Sequence, residues 1–446
     1  MSSLKAWRRW STSCIPRTRA PPCRRCIRAR VESNELLTLK YIKTLEKMDI
    51  IVQKYGGSSL AEDGQLRAVA QRVARCREEG KAVVVVVSAR GKTTSQLLAR
   101  AGKLNSNPEH RELDMLLAAG EQASASMLSL ALHDLGHEAV SLTGPQAGVK
   151  TCDAHMNARI KCVDPERMLE TLEEGKIAVV AGFQGESPEG DITTLGRGGS
   201  DTTAVALAAA VGAGRCEIYS DVDGVYTADP RKVPDATRLS MISLAEMKTL
   251  AHHGAGVLNE RAIDYAIEHD VTIVCRKAHG EGGETIVRAE PGLGRSRIVG
   301  VACHDELLQV EFDESADHTN LAERLDDLDI FVPELAEGKS GRYLISIGQL
   351  ADDEGLAQSI RDEFDTGVVV GGPIASVSAV GYKAGSEEGA EEIARKELES
   401  EGIAVHEVMR FEHAVTCLID CNAVERAMQI FHDRFEITDT EVADVA

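Results

Sequence analysis

Residues Ala82–Val87 read Ala-Val-Val-Val-Val-Val, six apolar residues without a polar break. Side chains alternate between the two faces of a strand, so an apolar run without alternation is a strand buried on both faces. Strands of that kind belong to parallel sheets with helices on either side. Shorter runs recur at Ile50-Ile51-Val52, Ile177–Ala181, Glu217–Tyr219 and Val271–Val274. Helical spacing lies between them: Leu66, Val69, Ala70, Val73 and Cys76 share one face, and Asp114–Leu135 and Thr202–Val211 read as further helices. The alternation predicts an α/β body with a mainly parallel sheet covered by helices over residues 49–297.

The pattern changes near residue 298. Two stretches of strand–helix–strand–strand–helix–strand character follow, 298–373 and 374–446, with helices expected at Leu321–Leu325 and Glu388–Glu401. Each has the length of a small α+β unit, and 446 residues are too many for one ordinary core. Ahead of the α/β body, residues 1–48 form a basic extension. Its first 31 residues contain no acid, are rich in Arg, Pro and Cys, and show no apolar period. A transit-type leader is one reading. A start codon assigned too far upstream, with Met48 the true start and the extension disordered or untranslated, is the favoured one. Cys23 and Cys26 make a lone CxxC with no second pair at zinc spacing, and eleven scattered cysteines suit reduced thiols in a cytoplasm.

The net charge of −21 favours solubility, argues against nucleic acid as a partner, and fits a halophilic, high-salt cytoplasm in which self-repulsion is screened, with an ordinary acidic protein of a low-salt cell as the plainer alternative. No run of about 18 apolar residues argues for a membrane span.

Three motifs carry chemistry. Gln53-Lys54-Tyr55-Gly56-Gly57-Ser58-Ser59 closes the first strand; its glycines let backbone N–H groups approach a phosphate, and Lys54 supplies a full charge. An ordinary strand–turn–helix corner explains that motif equally well. Thr194-Leu195-Gly196-Arg197-Gly198-Gly199-Ser200-Asp201-Thr202-Thr203-Ala204 is more specific, because a capped helix alone does not account for an arginine inside the glycine turn, where its fork can meet a carboxylate. Ser220-Asp221-Val222-Asp223-Gly224-Val225-Tyr226-Thr227-Ala228-Asp229-Pro230-Arg231 marks tight turns after another strand, with polar groups able to hold a nucleotide.

In this order, together with Val86-Val87-Ser88-Ala89, Gly120-Glu121 and Ser141–Gly148, these stretches resemble the amino-acid kinase family, and within it the aspartate kinases. The resemblance runs from about Ile50 to the C-terminus. It implies the amino-acid kinase fold followed by two ACT-like domains, without a dehydrogenase domain. The implied activity is transfer of the ATP γ-phosphoryl group to the β-carboxylate of L-aspartate, the first step towards lysine, threonine and methionine, with ATP and Mg²⁺ required. By resemblance Lys54 stabilises the transferring phosphoryl group and Asp201 organises that lysine. Arg197 grips the substrate α-carboxylate and Glu121 its ammonium group, in a pocket lined by Ser88, Thr94, Phe183 and Ser200. Gly56, Gly57, Ser58, Ser220, Asp221, Tyr226 and Arg231 hold ATP, and no protein side chain is assigned to a metal. An amino-acid effector on the tail and a homodimer or higher homo-oligomer are further implications.

The chain departs from the family at His253-Gly254-Ala255-Gly256-Val257-Leu258-Asn259, where relatives commonly read Phe-Gly-Ala-Lys-Val-Leu-His. Gly256 replaces an ATP-site lysine and Asn259 a histidine. Lys92 brings extra charge after Ser88-Ala89 and is read as a solvated loop lysine. Other kinases of this fold, acting on glutamate or UMP, are disfavoured by Arg197–Asp201 and by the tail. A catalytically silent amino-acid sensor is the rival from another class; Gly256 favours it, and Lys54, Glu121, Arg197 and Asp201 oppose it.

Overall fold

The computed structural model describes residues 48–289, 298–312, 341–346 and 368–435. Apart from Met48, the basic extension with its CxxC, and the helix expected at Leu321–Leu325, lie outside them.

The first body contains β1 (Ile50–Tyr55), α1 (Asp63–Glu78), β2 (Ala82–Val87), α2 (Thr93–Leu104), α3 (His110–Asp134), β3 (Ala139–Leu142), β4 (Val149–Thr151), β5 (Ile160–Val163), α4 (Glu166–Glu173), β6 (Ile177–Ala181), β7 (Gln184–Glu186), β8 (Ile192–Thr194), α5 (Gly199–Ala210), β9 (Arg215–Ser220), β10 (Met241–Ser243), α6 (Leu244–His252), α7 (Glu260–His269), β11 (Thr272–Lys277) and β12 (Glu284–Arg288). Eight strands form one sheet in the order β10-β12-β11-β9-β1-β2-β6-β3. All its pairings are parallel except β11 with β12.

The valine run explains the layering. Val83, Val85 and Val87 pack with Leu66, Val69 and Val73 of α1 and Leu128 and Leu132 of α3. Val84 and Val86 pack on the other face with Met168 and Leu172 of α4, Val205 and Leu207 of α5 and Ile263 of α7. Beyond its polar first turns, α5 continues in apolar residues from Ala204 to Ala210 and is buried almost all round, as a segment without a polar face must be. By length and composition α3 could cross a membrane. Here it lies against the sheet and buries Asp114 and Glu121. The strands β4, β5, β7 and β8 form a small separate sheet beside the main one.

The second body contains β13 (Gly300–Phe312), β14 (Gly341–Ser346), β15 (Val368–Val380), α8 (Ala390–Ser400), β16 (Val405–Phe411), β17 (Ala414–Ile419) and α9 (Val424–Arg434). Among the described residues its five strands form one antiparallel, ACT-like sheet in the order β14-β13-β15-β17-β16. The boundary drawn at 373/374 falls inside β15. That strand pairs with β13 along one edge and β17 along the other, so the two α+β units share a sheet, and Gly300–His304 serves as an outer strand for the C-terminal one. The helix expected at Glu388–Glu401 is α8.

Candidate active site

Strand β1 lies between β2 and β9, so successive connections leave it in opposite directions. In an open parallel sheet, ligands bind in the crevice at the carboxyl ends of strands where the order reverses. The register sets Lys54 and Tyr55 beside Val86 and Val87 on one side and Ile218 and Tyr219 on the other. The loops carrying the motifs therefore leave the sheet side by side.

Lys54 reaches across to the first turn of α5 and pairs with Asp201, Nζ to Oδ1 2.5 Å, each side chain about 12% exposed. The N-cap of α5 is Gly198 in a left-handed conformation, and Ser200 and Asp201 sit inside the first turn rather than capping it. There Asp201 meets the positive end of the helix dipole as well as the ammonium. The glycine turn after β1 leads into a short 3-10 turn, Gly57–Leu60, and α1 begins only at Asp63. The helix end facing Lys54 is thus that of α5, not α1. A Cβ on Gly57 would collide with the Ala89 carbonyl, and Gly91 N–H donates to the Gly57 carbonyl at 2.8 Å, so the loops after β1 and β2 are pressed together. Ser58 is exposed at their rim.

Glu121, only 3% exposed, lies under these loops. One carboxylate oxygen accepts the Ala89 N–H, and among the described residues Oε2 has no hydrogen-bond partner. Burial pushes its pKa up to about 8, against the opposing pull of the Ala89 amide and the Lys54 charge. A buried carboxylate with one oxygen unspent is a ready acceptor for an ammonium group. Gly120 lets α3 come this close: a Cβ there would lie 3.2 Å from Ala89 Cβ and 3.3 Å from Thr93 Cγ2. Ser88 follows β2, its N–H on the Tyr55 carbonyl at 3.1 Å, and Thr94 is the second residue of α2, whose N-cap is exposed Lys92.

After β6, Phe183 holds a left-handed φ of 67°, fixed by its N–H on Thr203 Oγ1 at 3.1 Å. A Cβ on Gly182 would lie 2.9 Å from Ser200 Cβ, so this corner packs directly on α5. Arg197 projects, exposed, from the turn between Gly196 (φ 76°) and Gly198 (φ 66°). At the end of β9, Ser220 Oγ caps the next turn through Val222 N–H, and Tyr226 donates to Asp223 at 2.8 Å. Asp221 is exposed beside them. Arg231 is 87% exposed and turned onto Asp229, 2.7 Å, whose pKa its guanidinium lowers.

Lys54, Gly56, Gly57, Ser88, Glu121, Phe183, Ser200 and Asp201 thus gather where β1, β2 and β6 meet α5. The Ser220–Tyr226 turns adjoin them through β9, with Gly56 N–H on the Tyr219 carbonyl at 3.4 Å. The supports of the Arg197 turn, one on each side of it, do not follow from the sequence reading. Asp114, fully buried, accepts from Thr194 Oγ1 (2.5 Å) and Met156 N–H (3.1 Å) and pairs with His155 at 2.6 Å, pinning the strand that leads to the Arg197 turn. Asn259 and Arg261 hold that turn from the other side, with Asn259 Nδ2 on the Arg197 carbonyl (3.1 Å) and Arg261 Nη1 on the Leu195 carbonyl (3.0 Å). Asp114 lies beside Leu113 and Leu117 on the buried face of α3, where a charge needs partners, and an N-cap residue before Glu260 was the signal for Asn259. Among the described residues no cluster of three His, Cys, Asp or Glu side chains is arranged to hold a metal.

Residues 49–277 match the model of the amino acid kinase family. Over 405 residues the chain is 39% identical to Aspartokinase 2 of Bacillus subtilis (strain 168), spanning 88% of this chain and 98% of that protein. It is also 39% identical over 405 residues to the aspartokinase of Geobacillus stearothermophilus, spanning 89% and 99%. The crystal structure of E. coli aspartokinase III in complex with aspartate and ADP superimposes with a TM-score of 0.70 over 86% of this chain and 99% of that one; at 24% identity this is a likeness of fold.

Proposed function

We propose, for a chain that belongs to the amino acid kinase family and within it to the aspartokinases, a division of labour among the residues at the carboxyl end of the parallel sheet. The reaction is transfer of the γ-phosphoryl group of ATP to the β-carboxylate of L-aspartate, giving 4-phospho-L-aspartate and ADP. The observation that carries the assignment of roles is the Lys54–Asp201 pair beside the half-satisfied carboxylate of Glu121.

The nucleophile is a carboxylate with a free pKa of about 3.9, so it is ionised at neutral pH and needs no general base. What remains is positioning and charge stabilisation. Glu121 takes the substrate ammonium and Arg197 the α-carboxylate, which aims the β-carboxylate at Lys54. Asp201 holds the ammonium of Lys54 where negative charge builds on the phosphoryl oxygens. The Gly56–Ser58 amides and the Ser220–Tyr226 turns receive the nucleotide. Asp201 and exposed Asp221 would hold Mg²⁺, an ion that commonly takes only one or two carboxylates and keeps several waters, and it would supply charge neutralisation at the phosphates. An amino-acid effector on the ACT-like sheet and self-association through that sheet's edges belong to the same reading.

ADP release by the purified protein, followed with and without L-aspartate at low and high salt, is the direct test. ADP release that ignores aspartate would refute the assignment. Arg197→Lys keeps the charge and loses the two-pronged fork, so the KM for aspartate rises about tenfold or more while that for ATP holds. A rise in the ATP KM alone would place Arg197 in the other subsite.

Gly256 is exposed, and a Cβ there would meet no atom within 4 Å. Among the described residues, therefore, nothing obstructs the first carbon of the family lysine at this position. Gly256→Lys lowers the KM for ATP by about two- to fivefold, the range expected of one exposed ion pair. An unchanged ATP KM would show that this position does not face the nucleotide.

A further inference from the structure

Residues 252–261 touch the C-terminal sheet at one end and the Arg197 turn at the other. At the sheet end His253 is 1% exposed. Its Nδ1 lies 3.0 Å from Ser378 Oγ of β15 and 3.4 Å from Thr416 Oγ1 of β17, and its ring meets Phe411 edge-on at 5.0 Å. Gly254 follows with a left-handed φ of 106°, and a Cβ on it would collide with the Cys303 carbonyl of β13. His304 Nε2 is 3.1 Å from the His252 carbonyl. The chain therefore leaves α6 with no room to slide along the sheet.

At the site end Asn259 uses both halves of its amide. Oδ1 accepts from Arg261 N–H at 3.0 Å and caps α7. Nδ2 donates to the Arg197 carbonyl at 3.1 Å. A Cβ on Gly198 would overlap the Asn259 side chain, so nothing separates the two but glycine. The Arg197 turn needs outside support, because the glycines flanking it leave its backbone permissive. Asn259 and Arg261 supply that support from one rigid helix end.

We propose that Asn259 is a positioning residue for Arg197, and that residues 252–261, anchored through His253, make the placement of that arginine depend on the ACT-like sheet. The proposal rests on the reading of Arg197 as the aspartate-binding residue. A packed, hydrogen-bonded segment with a fixed anchor at each end is a physical route for coupling between sites, and an arginine displaced by about 1 Å loses much of its grip on a carboxylate.

Asn259→Asp separates the clamp from the cap. Aspartate is as good an N-cap as asparagine, but it sets an oxygen against the Arg197 carbonyl. The aspartate KM rises about five- to tenfold, as loss of one hydrogen bond predicts, while the ATP KM and the melting temperature hold. In the sheet, Ser378→Ala combined with Thr416→Val shifts the aspartate KM about threefold, and adds little in the Asn259→Asp background because the clamp is already open. Arg197→Lys is measured in parallel. If it raises the aspartate KM and Asn259→Asp does not, the clamp is wrong; if Arg197→Lys leaves that KM unchanged, the underlying reading of Arg197 has failed instead. Sheet variants without effect, or with an effect that adds in full, would overturn the coupling.

Discussion

Lys54→Ala lowers kcat by about a thousandfold or more, and the variant still folds. Lys54 is the cation anchored at the carboxyl end of the central strand, fixed by Asp201 and shielded from water. Losing one preorganised neutral donor at a developing charge costs about 2.7–4 kcal/mol of barrier, and a full cation in a partly buried site is worth at least as much. Its removal also leaves Asp201 without its partner, which by itself destabilises a buried carboxylate by about 1–3 kcal/mol. Asp201 keeps its place in the first turn of α5, where the helix dipole favours its charge, and some solvent access, so that loss remains smaller than the stability of a typical domain. Initial rates at saturating ATP and aspartate, with a thermal melt, test both parts. A variant turning over at the wild-type rate would remove Lys54 from the chemistry.

The main sheet was legible because its signal is local. A run such as Ala82–Val87 can only be a doubly buried strand, and the glycine-bounded Arg197 can only be a turn. The C-terminal body was read in the right class but divided in the wrong place, and β15 shows why. Its sequence is Val-Val-Val-Gly-Gly-Pro-Ile-Ala-Ser-Val-Ser-Ala-Val. Gly371-Gly372-Pro373 looks like a linker, since proline cannot donate to a ladder. In the fold it marks an irregular stretch of one continuous strand: the register with β13 shifts between His304 and Leu307 and again between Leu307 and Gln309, opposite Ile374 and Gly371. A bulge absorbs the proline, and the strand runs on.

The clamp on the Arg197 turn was illegible for a different reason. Asn259 and Arg197 are 62 residues apart, and Thr194 and Asp114 are 80 apart. Neither pairing follows from periodicity. Asn259 drew notice only as a missing histidine, whereas its structural role as cap and donor depends on Gly198 lying beneath it. Glu121 was legible as a residue through resemblance, but its physical state was not, because burial and the single amide partner are set by how α3 packs under two loops.

That state leads to the second large effect. Glu121→Gln raises the KM for aspartate by about a hundredfold or more and stabilises the free protein at alkaline pH. The native carboxyl titrates at about 8 against an ordinary value of 4.5. Between those values the folded protein keeps a proton that the unfolded chain has released. The stability present below about pH 4.5 is therefore lost as pH rises towards and through 8, by an amount on the order of a few kcal/mol. Glutamine has no proton to lose, so the variant and the parent melt alike near pH 4.5 and diverge above it, the variant higher. Aspartate binding runs the opposite way. Its ammonium needs the ionised carboxylate, and a proton competes for the same oxygen, so the wild-type KM for aspartate falls as pH rises towards 8. The variant loses both the charge and that pH dependence. Melting curves from pH 4.5 to 9, paired with aspartate titrations over the range where the protein stays folded, decide it. A glutamine variant that binds aspartate as tightly as the parent, or a parent whose melting temperature does not fall relative to the variant above pH 7, would show that the buried carboxylate is not held in reserve for the substrate.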